Sequence, residues 1–438
     1  MRILWLTNFT PADICKALGR PSNNKEGWIS GLMAALRENE DGIELYIAAP
    51  TVEKNGYSKV GEFDGVTFYE YFESPDSENY HKELEKMLFN MAYEISPDII
   101  HIFGTEYPHT RAMLEGIAKY GEGSVLSTDK VLIGYQGVCG EIAKHYLDGV
   151  PEDVARKSSL RDILKKDGLI AQRDKFVKRA ENEKAALKLA KHITGRTDFD
   201  RKYTEEVAPD ATYYFMNETL RPEFYEGKWN EEDADKYTIF LSQANYPVKG
   251  MHYFLEAYPR IFERFPEVKI KVAGDPITRH ATLKERLKLQ NYARYLLDLE
   301  DNVEKLTGKR PDIEYLGSLD AKGMKEQYLK AGLFVNPSII ENSPNSIGEA
   351  MLLGVPVISS AVGGVPSMLS NGEEGLLYEA DDIDRLINCI GIMWTDSDAR
   401  KTMCEAAIVR ASKTHDPKTN YSRLLEIYNC MLKEKNNE

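Results

Sequence analysis

The chain has 438 residues, of which 42% are hydrophobic and 29% charged, and its formal net charge is −14. This length exceeds what one hydrophobic core usually serves, so it favours two domains and excludes a disordered chain. The acidic balance argues against a general binder of nucleic acid, which needs a cationic surface. The start, MRILWLTNF, lacks the pattern of a signal peptide, and no run of about 20 apolar residues is present, so we expect a cytoplasmic protein.

Short apolar runs, typical of buried strands, alternate with longer amphipathic stretches along the chain. The first half contains RILWL, IELYIAA, DIIHIF, KVLIGY, HITG and TYYF, and the second half contains TIFLS, VKIKVAG, IEYLG, LFVNPS and PVISS. Near-continuous apolar strands separated by helices indicate parallel sheets covered on both faces. The sequence therefore predicts an α/β protein with two doubly wound, Rossmann-like domains that face each other across a cleft.

The predicted domain boundaries follow from composition. Residues 1–222 form the first domain, the polar and acidic residues 223–236 form a linker, and residues 237–414 form the second domain. A helix over 415–438 crosses back to complete the first domain. The five cysteines, Cys15, Cys139, Cys389, Cys404 and Cys430, have no disulfide or zinc-site spacing, so we expect reduced and mostly buried thiols.

Residues 156–191 are locally cationic, with twelve Lys or Arg against five Asp or Glu. One interpretation is a solvated helix face. The other is a surface that attracts anionic lipid head groups or a lipid-diphosphate acceptor, which would give peripheral contact with a membrane.

The strongest motif is LFVNPSIIENSPNSIGEAMLLGVPVISSAVGGVPSML. A strand is followed by a loop that holds Glu341, and a helix begins near Pro344, with Ser343 as its cap and Gly354 at its end. The helix thus starts at the carboxyl edge of a parallel sheet, where ligands bind in such folds.

Two carboxylates flank this helix start. The N–H groups of Asn345, Ser346 and Ile347 suit a diphosphate, Glu349 can accept hydrogen bonds from ribose hydroxyls, and Glu341 can reach a sugar ring. The alternative is that Glu341 is a loop charge and Glu349 a partner of the helix dipole.

Lys249 and Gly250 follow another strand and open a helix. The ammonium group, beside free N–H groups, can neutralise a departing diphosphate, although an ordinary lysine at a helix start is the alternative.

This constellation resembles the E-x7-E signature of the GT4-type (group 1) retaining glycosyltransferases, which have the GT-B fold. The stretches TIFLSQANYPVKGMHYFLEAYPRIF, VKIKVAGD, IEYLGSL and GVPVISSAVGGVPSML carry the resemblance. It implies transfer of a sugar from a UDP- or GDP-sugar to a glycan or lipid-linked acceptor. Cell-surface polysaccharide biosynthesis would fit the cationic residues 156–191. The resemblance also implies that the second domain binds the donor and the first the acceptor.

The resemblance assigns roles in the second domain. Glu349 holds the ribose, Glu341 contacts the donor sugar, and Lys249 stabilises the leaving diphosphate. The remaining donor-binding residues in this domain are Asn345, Ser346, Ile347, Gly250, Gln243, Gly363 and Gly364.

In the first domain, Gly27 resembles the glycine of a loop near the donor phosphates. His109 follows a strand together with Glu106 and could donate to a sugar hydroxyl or the leaving phosphate, although a helix-capping pair is the alternative. Gln136 stands where many members have a histidine, and because an amide exchanges no proton near neutral pH it is assigned to binding, together with Gly137 and Glu106.

Two departures distinguish this chain from the pattern. Glu341-Asn342-Ser343 replaces the usual Glu-Gly-Phe, and SQANYPV, just before Lys249, lacks the arginine that members usually have a few residues before this lysine. Either a neutral hydrogen bond substitutes for that arginine, or Arg196 supplies the charge from the first domain.

No metal site is predicted, and no cofactor is expected beyond the nucleotide sugar. The pairs Asp382/Asp384 and Asp198/Asp200 fall at predicted helix starts, where aspartate caps without binding metal. An epimerase or phosphorylase on the same fold, or a non-catalytic nucleotide-sugar binder, is the alternative function.

Overall fold

The computed structural model describes residues 1–21, 27–38, 42–53, 55–278, 283–286 and 288–434. The chain divides into two compact units. Unit 1 comprises Met1–Gly140, Lys175–Arg221 and His415–Glu438, and unit 2 comprises Glu141–Asp174 and Pro222–Thr414. None of the helices within the described ranges is long and apolar enough to cross a membrane.

Unit 1 is built on an eight-stranded sheet with the order β3-β4-β2-β1-β5-β6-β7-β8. All neighbouring strands are parallel except β3, which pairs antiparallel with β4 at one edge. Its strands are β1 (Arg2–Leu6), β2 (Glu44–Thr51), β3 (Tyr57–Phe63), β4 (Val66–Phe72), β5 (Ile99–Phe103), β6 (Val131–Gly134), β7 (His192–Gly195) and β8 (Thr212–Phe215).

Helices cover both faces of this sheet. They are α1 (Ala12–Ala17), α2 (Gly27–Glu38), α3 (Glu83–Ile95), α4 (Pro108–Tyr120), α9 (Asp198–Val207) and α18 (Pro417–Glu434), while α5 (Cys139–His145) and α8 (Leu169–Leu187) run across the unit boundaries. One core lies beneath α3 and α4, and the other beneath α2 and α18. In the second core the Trp5 indole donates to the Tyr428 hydroxyl at 3.0 Å, so the C-terminal helix is part of unit 1.

Unit 2 has a fully parallel six-stranded sheet with the order β11-β10-β9-β12-β13-β14. Its strands are β9 (Asp235–Leu241), β10 (Lys269–Val272), β11 (Ile313–Tyr315), β12 (Ala331–Asn336), β13 (Val357–Ser360) and β14 (Leu376–Tyr378). The central strand β12 is buried along its whole length, as a strand covered on both faces must be. Both sheets thus confirm the predicted doubly wound α/β architecture.

The helices of unit 2 flank this sheet. They are α6 (Glu152–Arg156), α7 (Leu160–Lys165), α10 (Met251–Arg264), α11 (Leu283–Arg286), α12 (Asn291–Thr307), α13 (Ala321–Lys330), α14 (Asn345–Leu353), α15 (Val365–Met368), α16 (Ile383–Thr395) and α17 (Ser397–Thr414).

The observed division differs from the predicted boundaries in two places. Residues 223–236, expected to be a linker, pack on unit 2: Phe224 is buried, and the Trp229 indole donates to the carbonyl of Ala331 at 2.8 Å. Residues 141–174, expected in the first domain, belong to unit 2 because Val150 and Leu169 enter its core. Both segments are mostly polar, so their composition did not indicate that a few apolar residues hold them on unit 2.

Two edge elements were not predicted. The hairpin of β3 and β4 turns at Asp64 and Gly65, which both have positive φ angles of 47° and 79°. Asp-Gly is the favoured sequence for such a turn, so the sequence did carry a signal for it. The three-residue strand β14 has no comparable signal.

Candidate active site

In unit 2 the strand order reverses between β9 and β12. The chain runs outward from β9 through β10 and β11 and then returns to the other side of β9. The loops after β9 and β12 therefore diverge at the carboxyl edge of the sheet, the position where open α/β sheets bind ligands. The Ile339 N–H donates to the Val248 carbonyl at 2.8 Å and joins these two loops.

Gly250 allows the two loops to approach each other. Its φ angle is +69°, and a Cβ atom at this position would lie 1.7 Å from the carbonyl oxygen of Pro337. No other residue fits that space, so the glycine fixes the lysine before it against the loop that follows β12.

Lys249 and Glu341 meet at this junction. The Lys249 Nζ lies 2.5 Å from Glu341 Oε1, which also accepts a hydrogen bond from the Ser338 hydroxyl at 2.7 Å. Both charged side chains are mostly buried. Burial opposes the lysine charge, but the adjacent Glu341 carboxylate and Tyr246 outweigh it and raise the pKa of Lys249 above its ordinary value. The site therefore holds a permanent cation.

Gly363 and Gly364 lie against the same glutamate. A Cβ on Gly363, whose φ angle is +52°, would come within 2.0 Å of the Glu341 carbonyl oxygen, and the Gly364 N–H donates to that oxygen at 3.0 Å. The loop after β13 thus fixes the backbone of Glu341, a function that sequence reasoning did not assign to the glycine pair.

Helix α14 begins one residue later than predicted. Pro344 is its N-cap, no side chain caps it, and Asn345 and Ser346 supply its first two N–H groups. The prediction that Ser343 caps this helix is therefore wrong, because Pro344, with an extended backbone, occupies the cap position. The Ile347 N–H donates to the Pro344 carbonyl at 3.1 Å, so it is not one of the N–H groups available to a diphosphate.

Glu349 is the fifth residue of α14 and is only 4% exposed. The Tyr328 hydroxyl lies 3.4 Å from Glu349 Oε2 and 3.1 Å from the carbonyl oxygen of Ser346. The tyrosine from α13 therefore holds the carboxylate beside the first turn of α14. Gln243, in contrast, is exposed in the loop after β9.

In unit 1, Glu218, which sequence reasoning missed, connects the predicted residues Arg196 and Gln136. Arg196 is buried and pairs with Glu218 at 3.3 Å, and the Gln136 amide donates to Glu218 at 2.8 Å. All three line a small cavity of about 30 Å³ beyond the carboxyl ends of β6 and β7. Arg196 is thus already bound to a carboxylate.

Glu106 follows β5, at the strand-order reversal of unit 1. Its Oε2 atom is buried beside the Asn8 amide, over Gly104, and no group in the described ranges forms a hydrogen bond with it. Burial, with a contribution from Glu183, raises the pKa of Glu106 to about 7.

The buried Glu183 organises the neighbouring loop. Its carboxylate accepts hydrogen bonds from the Thr105 hydroxyl and the Cys139 and Gly140 N–H groups, and Thr105 also lies 3.3 Å from the Gly137 carbonyl oxygen. Gly137 thus contributes through its backbone to a loop that Glu183 fixes.

We predict that Glu106 makes folding pH-dependent near neutrality. Because its folded pKa is about 7 and its ordinary value 4.5, the folded chain retains a proton between these values. The stabilising contribution is complete below pH 4.5 and is lost as the pH rises to 7. As the pH rises from 4.5 to 8, wild type loses this contribution and Glu106→Gln does not. The unfolding free energy of Glu106→Gln should therefore rise by about 1–3 kcal/mol relative to that of wild type over this interval.

Urea unfolding at both pH values measures this difference. Glu122→Gln, which removes an exposed carboxylate from the same unit, is the control and should follow wild type. Parallel pH profiles for wild type and Glu106→Gln would show that Glu106 does not titrate in this range.

His109 lies inside unit 1 and is fully buried. Its Nδ1 is 3.0 Å from Glu73 Oε2, and its ring stacks on Tyr107 and meets Tyr71 edge to face. Glu73, which sequence reasoning missed, also lines a groove of about 420 Å³ with Pro108. His109 therefore binds Glu73 and does not act as the capping partner of Glu106.

The other predicted residues have simpler surroundings. Gly27 begins α2, and its immediate predecessors lie outside the described residues. Asp382 caps α16, and Asp200 forms a capping box with Thr197 at the start of α9. All five cysteines are free thiols, and only Cys430 is exposed.

Comparison with known proteins bears on this arrangement directly. Residues 235–396 match the family described as Glycosyl transferases group 1. This stretch, called the group 1 domain below, is therefore similar to the members of that family. The group 1 domain spans all strands of unit 2 and includes Lys249, Gly250, Glu341 and Glu349. The resemblance to group 1 glycosyltransferases that the sequence motifs indicated is therefore confirmed.

Curated relatives carry transferase names. The D-inositol 3-phosphate glycosyltransferase of Corynebacterium urealyticum is 26% identical over 186 residues, which are 42% of this chain and 41% of the relative. An Escherichia coli UDP-Gal:alpha-D-GlcNAc-diphosphoundecaprenol alpha-1,3-galactosyltransferase is 31% identical over 151 residues, 33% of each chain. The chain thus matches about two fifths or less of the length of these relatives.

Solved structures resemble the whole chain. Sucrose-phosphate synthase from Thermosynechococcus elongatus has a TM-score of 0.70 at 15% identity and covers 99% of this chain and 100% of its own. HepE of Anabaena in complex with UDP has a TM-score of 0.61 at 15% identity, with 98% and 100% covered. At this identity the likeness shows the fold alone, and it confirms the predicted GT-B class.

Proposed function

We propose that this chain is a retaining glycosyltransferase that moves a sugar from a UDP- or GDP-sugar to a glycan or lipid-linked acceptor. The observation that carries the proposal is the ion pair of Lys249 and Glu341 at the strand-order reversal of unit 2. A buried cation next to a helix start is what a departing diphosphate requires, and the group 1 domain is the part of the chain that contains it.

The donor site would work by charge and position. Lys249 and the first N–H groups of α14 bind the diphosphate, and Glu349 accepts hydrogen bonds from the ribose hydroxyls. The diphosphate competes with Glu341 for the ammonium, so Glu341 turns toward the sugar hydroxyls when the donor binds. The sugar is then held between a carboxylate and its leaving group.

The chemical step would place charge on the leaving diphosphate. The bond between the anomeric carbon and the diphosphate oxygen breaks, the acceptor oxygen bonds to the same carbon on the same face, and the hydroxyl proton passes to the diphosphate. Lys249 stabilises that developing charge, and no metal ion or further cofactor is part of this proposal.

Unit 1 would bind the acceptor. Gln136, Gly137 and Glu106 present amide, carbonyl and carboxyl groups at the carboxyl edge of its sheet, and such groups recognise hydroxyls. Relatives support both substrate classes: one is named for UDP-Gal and a diphosphoundecaprenol-linked sugar, and HepE was solved with UDP. Polysaccharide assembly at the cell surface would fit an acceptor of this kind.

Nucleotide-sugar binding tests the proposal. A panel of UDP- and GDP-sugars, examined in EDTA and again in Mg²⁺, should include one that raises the melting temperature equally in both. Glu349→Gln, which retains the shape of the buried side chain, should weaken that donor about 10- to 100-fold because it replaces a charged acceptor for two hydroxyls.

Glu326→Gln, in an exposed part of α13, is the matched control and should bind as wild type. Mass spectrometry of the products distinguishes transfer or hydrolysis from epimerisation, which leaves the nucleotide sugar intact in mass. If no nucleotide sugar stabilises the wild type, or Glu349→Gln responds as wild type does, the donor site is assigned wrongly.

A further inference from the structure

Helix α7 has its polar side turned inward and its apolar side outward. Leu160, Ile163 and Leu164 are 65%, 62% and 84% exposed, and they lie on one face because helical neighbours are three and four residues apart. In an ordinary surface helix such residues face the core. This arrangement brings three large apolar side chains together in solvent.

The inward side of α7 is fixed by hydrogen bonds. The Asp162 carboxylate is buried and accepts hydrogen bonds from the N–H groups of Ser159 and Asn291 at 3.0 and 2.9 Å. It thereby caps α7 itself and the start of α12. Ala155 and Leu169, on either side of α7, enter the core of unit 2. The apolar face is therefore held outward by the fold and is not a frayed segment.

Cations surround this apolar face. Residues 156–168 contain five Lys or Arg and two Asp. Lys157 pairs with Asp153, and Arg161 pairs with Asp167, whereas Lys165 and Lys166 are exposed and form no ion pair with any described residue. In a chain of net charge −14, this is a local reversal of sign beside exposed apolar surface.

We propose that α7 docks on an anionic lipid surface, with the three apolar side chains inserted among the acyl chains and Lys165 and Lys166 at the head groups. A lipid surface fits better than a protein partner because the apolar face contains no aromatic side chain of the kind that anchors protein interfaces. Apolar insertion and head-group attraction are the two terms that together give stable binding at a membrane surface.

Vesicle sedimentation tests this inference independently of catalysis. The chain should sediment with phosphatidylcholine vesicles that contain about one third phosphatidylglycerol, and much less with phosphatidylcholine alone. Replacing Leu160, Ile163 and Leu164 by serine should reduce the bound fraction at least about fivefold, and Lys165→Glu with Lys166→Glu should do the same.

Matched changes elsewhere in unit 2 serve as controls. Leu306→Ser with Val409→Ser removes exposed apolar side chains, and Lys401→Glu with Lys413→Glu reverses exposed charges, so both should bind as wild type. Equal loss in the controls, equal binding to both vesicle types, or no binding by the wild type would overturn the proposal. If wild type has the molecular mass of a dimer in solution and the triple serine variant that of a monomer, the apolar face of α7 binds a second copy of this chain instead.

Discussion

Gly250→Ala is expected to destabilise unit 2 by more than about 4 kcal/mol and to abolish donor binding. The new methyl carbon would lie 1.7 Å from the Pro337 carbonyl oxygen, so the loops after β9 and β12 would have to separate. Separation removes the hydrogen bond between Ile339 and Val248 and moves Lys249 away from Glu341. Urea unfolding and donor titration of the same variant measure both effects.

Gly308→Ala is the matched control for backbone strain. Gly308 also has a positive φ angle, +76°, but a Cβ there would meet no atom within 4 Å. We expect a cost of about 1 kcal/mol, from the left-handed conformation alone, with donor binding unchanged. Similar losses for the two variants would mean that the close approach of the loops does not contribute to stability.

The fold class and the closeness of Lys249 to Glu341 could be predicted from the sequence because both depend on local signals. Buried parallel strands such as AGLFVN are almost entirely apolar, and Gly354 marks the end of α14, where its φ angle is 72°. Lys249 and Glu341 each follow such a strand, and the strand order brings the two loops together. The position of each residue after a strand was therefore enough to predict that the two residues lie close together.

Features that depend on distant contacts were not accessible. Glu218 binds Arg196 and Gln136, and Glu73 binds His109, but each acidic residue is far from its partners in sequence and lies in no motif. The prediction that residues 223–236 form a linker was wrong for the same reason. These residues pack on unit 2 through single contacts, such as the one that Trp229 makes. Charge counting found the segment 156–191 but could not show which side of α7 faces outward.

Glu341→Gln is expected to separate nucleotide binding from turnover. Glu341 pairs with Lys249, so a diphosphate must displace it from the ammonium. Without that competing charge, UDP or GDP should bind about three- to tenfold more tightly, since the cation is available from the start. Turnover should fall about 100-fold or more, because the amide cannot hold the sugar hydroxyls as the carboxylate does.

Lys249→Met provides the opposing variant, and isothermal titration with UDP and GDP compares the two. Losing the cation should weaken nucleotide binding as well as turnover, so the variants should change affinity in opposite directions while both lose activity. The hydroxyl of Ser338 and the N–H of Gly364 still hold the loop around position 341, which makes a folding defect in Glu341→Gln unexpected. If both variants weaken the nucleotide equally, Glu341 contacts the nucleotide itself, and its assignment to the sugar is wrong.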